Sequence, residues 1–85
     1  MIELAVVILT RDEEENIRDC VESVPWADRV VVVDCGSEDR TVELARQLGA
    51  AVLFHAWRNY ADQRDWALEQ VESDWIFFVD ADERG

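Results

Sequence analysis

Four apolar runs of strand length alternate along the chain with segments of helical periodicity. The run LAVVIL at Leu4–Leu9 is continuous, which is typical of a strand covered on both faces. The other predicted strands are Val30–Val33, Ala51–Phe54 and Trp75–Val79. The pattern therefore predicts four strands, with a helical segment between each strand and the next.

The helical segments carry apolar residues on one face at a period of 3.6 residues. The first helix is predicted at Glu13–Val24, because Pro25 cannot continue it. The second is predicted at Asp39–Leu48, with Gly49 as its C-terminal cap. The third is predicted at Tyr60–Val71. Its residues predicted to face the core are Tyr60, Ala67, Leu68 and Val71.

The order β-α-β-α-β-α-β predicts one α/β domain that covers residues 1–85. We expect a Rossmann-like parallel sheet with helices on both faces, because each strand-helix-strand unit makes a right-handed crossover. The predicted strand order is third, second, first, fourth. In such a sheet, ligands bind beyond the carboxyl ends of the strands.

The charge of the chain excludes some partners. It has 20 acidic and 8 basic residues, a net charge of −12. This acidity argues against nucleic-acid and anionic-membrane partners, which require basic surfaces. All the basic residues are Arg, so a P-loop lysine and a Schiff-base lysine are excluded. Cys20 and Cys35 are predicted to be reduced thiols, and with no signal sequence in view we expect a cytoplasmic protein.

Polar residues follow three of the four predicted strands, at what should be one edge of the sheet. The most informative are Asp80 and Asp82, which come directly after the fourth strand. Two carboxylates at this spacing can bind Mg²⁺ or Mn²⁺, which then bridges to substrate phosphates. The alternative is a solvated acidic loop.

The other candidates each have a structural alternative. Thr10 and Glu13 fit a capping box, in which they would only begin a helix. Asp34 either caps the following turn or accepts a hydrogen bond from a base or ribose. Arg64 is expected to be a solvated helix charge on periodicity alone. The residues expected to be structural or packing residues are His55, Trp26, Trp57, Trp66 and Trp75.

Two long segments resemble family 2 glycosyltransferases with the GT-A fold. They are ILTRDEEENIRDCVESVPWADRVVVVDCGSEDRTVELARQLGA and WRNYADQRDWALEQVESDWIFFVDADE. The chain is similar to bacterial enzymes that add sugars during lipopolysaccharide core assembly. The resemblance implies an inverting transferase that binds a nucleotide-diphosphate sugar, with a UDP-sugar favoured, and Mg²⁺ or Mn²⁺. It also implies a role in cell-envelope polysaccharide or lipopolysaccharide synthesis, at or near the inner face of the cytoplasmic membrane.

The resemblance also assigns site residues. Thr10 and Glu13 would line the nucleotide pocket, and Asp34 would contact the base or ribose. Arg64 would lie near the nucleotide or its diphosphate. Asp80 would hold the ribose and, together with Asp82, the divalent metal on the diphosphate.

The chain departs from the family pattern at three positions. The family often has Asn at Asp12 and Asp65, and Asp or Ser at Cys35. In the family, the acceptor-binding half and the general base would follow Gly85. We therefore expect the 85 residues to be a donor-binding region that transfers no sugar alone and self-associates through an exposed fourth strand.

Two other functions stay open at this point. One is a stand-alone nucleotide-binding or interaction module without catalysis. The other is a fragment of a sugar-phosphate nucleotidyltransferase, although such an enzyme needs a glycine-rich loop with a basic residue after its first strand. Here that position reads TRDEEE.

Overall fold

The structure is a computed structural model that describes residues 2–80, other than the side chains of Tyr60 and Asp80. Strands and helices alternate along the chain, as the sequence predicts. The strands are β1 (Leu4–Thr10), β2 (Arg29–Asp34), β3 (Ala51–Phe54) and β4 (Trp75–Asp80). The helices are α1 (Ile17–Glu22), α2 (Thr41–Gln47) and α3 (Tyr60–Gln70).

Within the described residues the strands form a parallel sheet in the order β3-β2-β1-β4. The predicted fold and strand order are confirmed. The register pairs Thr10 with Asp34 and Leu9 with Asp80. The ends of β2 and β4 therefore flank the end of β1 at one edge of the sheet, which is where the sequence places the candidate residues.

Two apolar cores cover the two faces of the sheet. Val6 and Ile8 of β1 pack with α1 and α2 on one face. Ala5 and Val7 point the other way and pack with Ala67 of α3. This alternation follows from the two-residue period of a strand. It explains why β1 is apolar at every position from Leu4 to Leu9.

The first helix is shorter than predicted at both ends, and side chains of a neighbouring segment bind the backbone amides that precede it. The N–H of Glu13 donates to Thr41 Oγ1 at 2.7 Å, and that of Glu14 donates to Asp39 Oδ2 at 3.2 Å. The segment before Ile17 is a turn whose carbonyl at Glu13 accepts from the Ile17 N–H at 2.8 Å. Regular helix therefore begins at Ile17.

The predicted inward face of α3 is partly wrong. Ala67 and Val71 are buried, but Leu68 is 48% exposed. The buried residue one turn before Ala67 is instead Gln63, which is 1% exposed. Positions 63, 67 and 71 form one stripe at a spacing of four residues, and Leu68 lies beside it. The prediction for the Tyr60 side chain lies outside the described residues.

The tryptophans are expected to be core and packing residues. Packing is confirmed for Trp26, which meets the Phe77 ring edge-on at 5.5 Å, but burial in the core is wrong for three of the four. Trp26, Trp57 and Trp75 are between 44% and 58% exposed. Trp66 is half-buried and stacks on His55, with ring centroids 4.5 Å apart. Most of the buried apolar residues are thus Val or Ile, from the sheet and from the segments packed on it, and the indoles lie at the margins of the core.

The predicted cap at Gly49 is confirmed. Its φ of +89° lies in the left-handed region that ends helices, and the Gly49 N–H donates to the Arg46 carbonyl at 3.1 Å. None of the helices in residues 2–80 has the length and apolar character needed to cross a membrane.

The central position of Ile8 predicts a large effect of its truncation. Ile8 is fully buried in the core between the sheet and α1. We expect Ile8→Ala to lower the free energy of unfolding by about 2–5 kcal/mol, measured by urea denaturation. The matched control, Ile2→Ala, removes the same atoms from a residue that is 66% exposed. Equal losses for the two variants would contradict the assigned core.

Candidate functional site

Asp34, at the end of β2, is hydrogen-bonded to the end of β1 and to the loop that follows β2. Its carboxylate is 3% exposed and accepts four hydrogen bonds from described residues. Thr10 Oγ1 donates at 2.7 Å, the N–H groups of Gly36 and Ser37 donate at 3.0 and 2.7 Å, and Ser37 Oγ donates as well. Gly36 adopts a φ of +115°, which an L side chain rarely adopts. Asp34 therefore fixes the loop conformation.

These hydrogen bonds set the ionisation of Asp34. Burial raises the pKa of the carboxyl group, but the hydrogen bonds from Ser37, Thr10 and Gly36 together lower it below its ordinary value. The group is ionised at neutral pH. The predicted turn-capping role is thus confirmed, whereas contact with a base or ribose stays a prediction.

The loops after β1 and β2 hold one another through Asp12. Its N–H donates to Ser37 Oγ at 2.8 Å, and its Oδ1 accepts from the Glu38 N–H at 2.7 Å. Asp12 has a φ of +52°, a conformation that Asp tolerates better than most residues. The two loops therefore form one hydrogen-bonded unit at the carboxyl edge of the sheet.

A cleft of about 220 Å³ opens beside these loops. Thr10 and Glu13, two of the predicted nucleotide-pocket residues, line it. The capping box proposed for them is wrong, because the Thr10 hydroxyl donates to Asp34 and the Glu13 N–H donates to Thr41. The other lining residues are Leu9, Arg11, Cys35, Trp57 and Gln63.

Cys35 contributes a thiol to the cleft wall. Its N–H and its Sγ both donate to the Thr10 carbonyl, at 3.1 and 3.3 Å. Burial, followed by the negative charge of Asp34, raises the pKa of the thiol above its ordinary value, although Arg11 opposes the shift. Cys35 is therefore a neutral, weakly polar surface at neutral pH.

Gln63 brings a buried amide to the same cleft. Its Nε2 donates to the carbonyl of His55 at 3.2 Å. Its Oε1 is buried and has no hydrogen-bond partner among the described residues. Leaving such an acceptor unpaired costs about 1–3 kcal/mol. Buried side-chain amides are rarely left in this state.

His55 is held from two sides, as the structural interpretation of this residue predicts. Its ring stacks on Trp66, and its Nε2 lies 2.9 Å from Asp62 Oδ2. The backbone N–H of His55 donates to the backbone carbonyl of Asp34 at 3.0 Å. These contacts fix the segment after β3 that carries the carbonyl bound by Gln63.

Arg64 follows Gln63 on α3 but is exposed. Its guanidinium carbon lies 5.0 Å from the centroid of the Phe78 ring, within the range of a cation–π contact. Arg64 is exposed on α3, as its interpretation as a solvated helix charge predicts, and it contacts β4 in addition. Its contact with a nucleotide diphosphate stays a prediction.

The predicted metal ligands cannot be placed. The Asp80 side chain and the whole of Asp82 lie outside the described residues. Within residues 2–80, no group of three or more His, Cys, Asp or Glu side chains is arranged to hold a metal ion. The backbone of Asp80 pairs with Leu9, a residue of the cleft wall.

Sequence reasoning assigned no site role to five residues that line the cleft, Leu9, Arg11, Cys35, Trp57 and Gln63. A signal for Gln63 was present, because it lies four residues before Ala67 on the inward stripe of α3. A polar residue on a buried stripe is an informative exception. Trp57 carries no such signal, because it lies in a connecting segment whose path follows only from the tertiary structure.

Comparison with known proteins gives the family. A family model for glycosyl transferase family 2 matches residues 5–84. The chain belongs to glycosyl transferase family 2. The nucleotidyltransferase alternative is therefore wrong.

The relatives include a lipopolysaccharide core biosynthesis glycosyltransferase, LpsC, of Rhizobium meliloti (strain 1021). It is 37% identical over 95% of this chain and 32% of its own length. Glucosyl-3-phosphoglycerate synthase of Mycobacterium tuberculosis has the same fold. Its complex with UDP superposes with a TM-score of 0.85 at 23% identity, over 96% of this chain and 34% of that one. Its complex with Mn²⁺, UDP and glucosyl-3-phosphoglycerate gives 0.83 at 22% identity, over 94% and 33%. The chain thus spans about a third of these proteins.

The lowered pKa of Asp34 predicts how stability depends on pH. A carboxyl group with a lowered folded pKa adds stability above its unfolded pKa, near 3.8, and loses it as the pH falls through the folded value. We expect Asp34→Asn to cost roughly 1–3 kcal/mol at pH 7. The difference from the parent should shrink below pH 3.8, as measured by urea denaturation across the pH range.

The matched control is Asp65→Asn, which removes a carboxylate from an exposed position on α3. It should leave both the stability at pH 7 and its slope below pH 4 close to those of the parent. A difference between parent and Asp34→Asn that stays constant down to pH 2 would contradict the assigned role of the Asp34 charge.

Proposed function

We propose that this chain is the donor-binding region of an inverting glycosyltransferase that uses a UDP-sugar and a divalent metal ion. The observation that carries the proposal is the cleft at the carboxyl edge of the sheet. Thr10, Glu13 and Cys35 line it, and the strand that ends in Asp80 lies beside it. Membership of family 2 and the UDP complexes of a protein with the same fold support the same ligand.

The loops around the cleft leave few backbone donors for a diphosphate. The amides at Asp12, Glu13 and Glu14 donate to side chains of the β2–α2 loop and of Thr41. The amides of residues 35–38 donate to Thr10, Asp34 and Asp12. An anion here therefore needs another source of positive charge, in a chain whose net charge is −12.

A divalent cation held by the carboxylates of Asp80 and Asp82 would meet that need. Carboxylate oxygens suit Mg²⁺ and Mn²⁺, and Mn²⁺ is present with UDP in the structural neighbour. Once bound, such an ion stabilises the charge that develops on the leaving diphosphate. Arg11, in the cleft wall, and Arg64, over Phe78, supply further positive charge near this edge.

In the proposed reaction, the oxygen of an acceptor hydroxyl bonds to the anomeric carbon from the face opposite the diphosphate. The bond between that carbon and the diphosphate oxygen breaks, and the hydroxyl proton passes to a general base. We expect the base in the acceptor-binding part that family members carry beyond residues equivalent to this chain. The described residues bind and orient the donor.

In this scheme, Asp34 acts through the loop. Its carboxylate is already hydrogen-bonded to Thr10, Gly36 and Ser37. Its part is to hold Thr10 and the Cys35 segment in the positions that form the cleft wall. The acceptor is proposed to belong to lipopolysaccharide or another cell-envelope polysaccharide, by analogy with the LpsC relative. The cytoplasmic location stays a prediction.

Nucleotide binding should depend on metal. We expect isothermal titration calorimetry to show UDP binding with Mn²⁺ or Mg²⁺ and binding weaker by about tenfold or more without it. Asp82→Asn should abolish the difference between the two conditions without unfolding the protein. Glu69→Gln, which neutralises an exposed carboxylate on α3, should behave like the parent. Equal affinity with and without metal in the parent would contradict the proposal.

The thiol of Cys35 gives an independent control for where UDP binds. Cys35 lines the cleft, whereas Cys20 is fully buried in the core and serves as the internal reference. Saturating UDP with Mn²⁺ should slow alkylation of Cys35 by iodoacetamide, measured by mass spectrometry. Unchanged alkylation of Cys35 under those conditions would place UDP elsewhere.

Self-association through β4 is a further proposal. In the described sheet β4 is an edge strand, and its Trp75 and Phe77 are 58% and 44% exposed. Apolar edges of this kind pair with other chains, and a lysine on the edge prevents it. We expect light scattering of the 85-residue chain to show oligomers that Phe77→Lys dissociates. Phe54→Lys, on the opposite edge strand, is the matched control and should leave the oligomers intact. A monomeric parent at high concentration would contradict it.

A further inference from the structure

We propose that Gln63 reads the base of the nucleotide by accepting a hydrogen bond from the N3–H group of uracil. This inference rests on the proposed function and adds a specificity-determining residue to it. It begins with the side-chain oxygen Oε1 of Gln63, which has no hydrogen-bond partner within residues 2–80. Gln63 is 1% exposed and lines the cleft.

The amide of Gln63 has a fixed orientation. Its nitrogen faces the carbonyl of His55 at 3.2 Å, and only an N–H group can make that contact. The carbonyl of His55 is fixed in turn. The backbone N–H of His55 donates to the backbone carbonyl of Asp34, and the His55 ring stacks on Trp66. The amide cannot flip without losing this bond. Oε1 is therefore a dedicated acceptor, and its partner must be a donor.

The lining of the cleft selects which part of the nucleotide supplies that donor. Leu9, Trp57 and the neutral thiol of Cys35 offer apolar surface, which suits the flat faces of a base. A diphosphate has no donor and needs charge around it. The uracil ring carries one N–H group, at N3, and a buried acceptor that this group satisfies would make binding strongly dependent on it.

The same geometry predicts what the site rejects. A uracil methylated at N3 has no donor at this position and leaves Oε1 unpaired. A ligand that meets Gln63 through the ribose would depend on the 2′-hydroxyl instead. A buried water molecule on Oε1 would make binding indifferent to both groups. The three possibilities therefore give different affinities for three ligands.

The test compares UDP, N3-methyl-UDP and 2′-deoxy-UDP by calorimetry with Mn²⁺, in the full chain and in Gln63→Met. In the parent, N3-methylation should weaken binding about tenfold or more. In Gln63→Met, UDP itself should bind about tenfold more weakly, and N3-methylation should change affinity less than about threefold. Gln70→Met makes the same substitution at an exposed position of α3 and should match the parent.

Other outcomes overturn the inference in distinguishable ways. UDP binding with equal N3-methyl penalties in the parent and Gln63→Met refutes the role of Gln63 and leaves the proposed function standing. A 2′-deoxy penalty that disappears in Gln63→Met, with no such change for the N3-methyl penalty, assigns Oε1 to the ribose. Failure of the parent to bind UDP at all refutes the proposed function itself.

A second measurement needs no variant, in case Gln63→Met does not fold. In an NMR spectrum of the parent bound to UDP, the N3 imino proton should exchange with water at least about tenfold more slowly than in free UDP. It should also show a nuclear Overhauser effect to the Gln63 side-chain amide. An imino proton that exchanges as fast as in free UDP overturns the inference.

Discussion

The ionised carboxylate of Asp34 is the interaction on which the carboxyl edge of the sheet depends. A charge buried to this degree is costly unless hydrogen bonds replace its water, and four donors do so here. Thr10 comes from β1, while Gly36 and Ser37 come from the loop after β2. Because the buried charge requires these hydrogen bonds, the end of β1 and the loop after β2 are held together through Asp34. Thr10 and Cys35, which line the cleft, are positioned by these hydrogen bonds.

Hydrogen bonding between the two loops also determines how many backbone N–H groups remain for an anion. The two loops use their backbone N–H groups on one another, through the side chains of Asp12, Ser37, Asp39 and Thr41. Many phosphate sites rely on free amides at a helix N-terminus, whereas the amides of residues 12–14 and 35–38 already donate within the chain. These hydrogen bonds hold the loops in place, but the amides that make them are not available to bind an anion. That exchange is consistent with a site in which a metal ion and arginines carry the positive charge.

The sequence predicted the scaffold because the scaffold rests on local patterns. Continuous apolar runs, one proline and one glycine were enough for the order of strands and helices, and the alternation of strands and helices gave the parallel sheet. The side-chain roles were harder. Thr10 has the spacing of a capping box, yet its hydroxyl bonds to Asp34, 24 residues away. Gln63 and Trp57 enter the cleft through contacts between α3, the segment after β3 and the sheet, which no local pattern encodes.

Asp34 and Gln63 show two uses of a buried polar side chain beside one cleft. The hydrogen bonds of Asp34 described above come from Thr10, Gly36 and Ser37, so this carboxylate stabilises the loops. Among residues 2–80, Gln63 has a hydrogen-bond partner at its nitrogen and none at its oxygen. A fold can tolerate an unpaired acceptor only if the rest of the core offsets the cost, and Gln63 lies on the same stripe of α3 as the buried Ala67 and Val71. In the role proposed for Gln63, a ligand that donates to this oxygen would remove the cost of the unpaired acceptor, and a ligand without a donor would not.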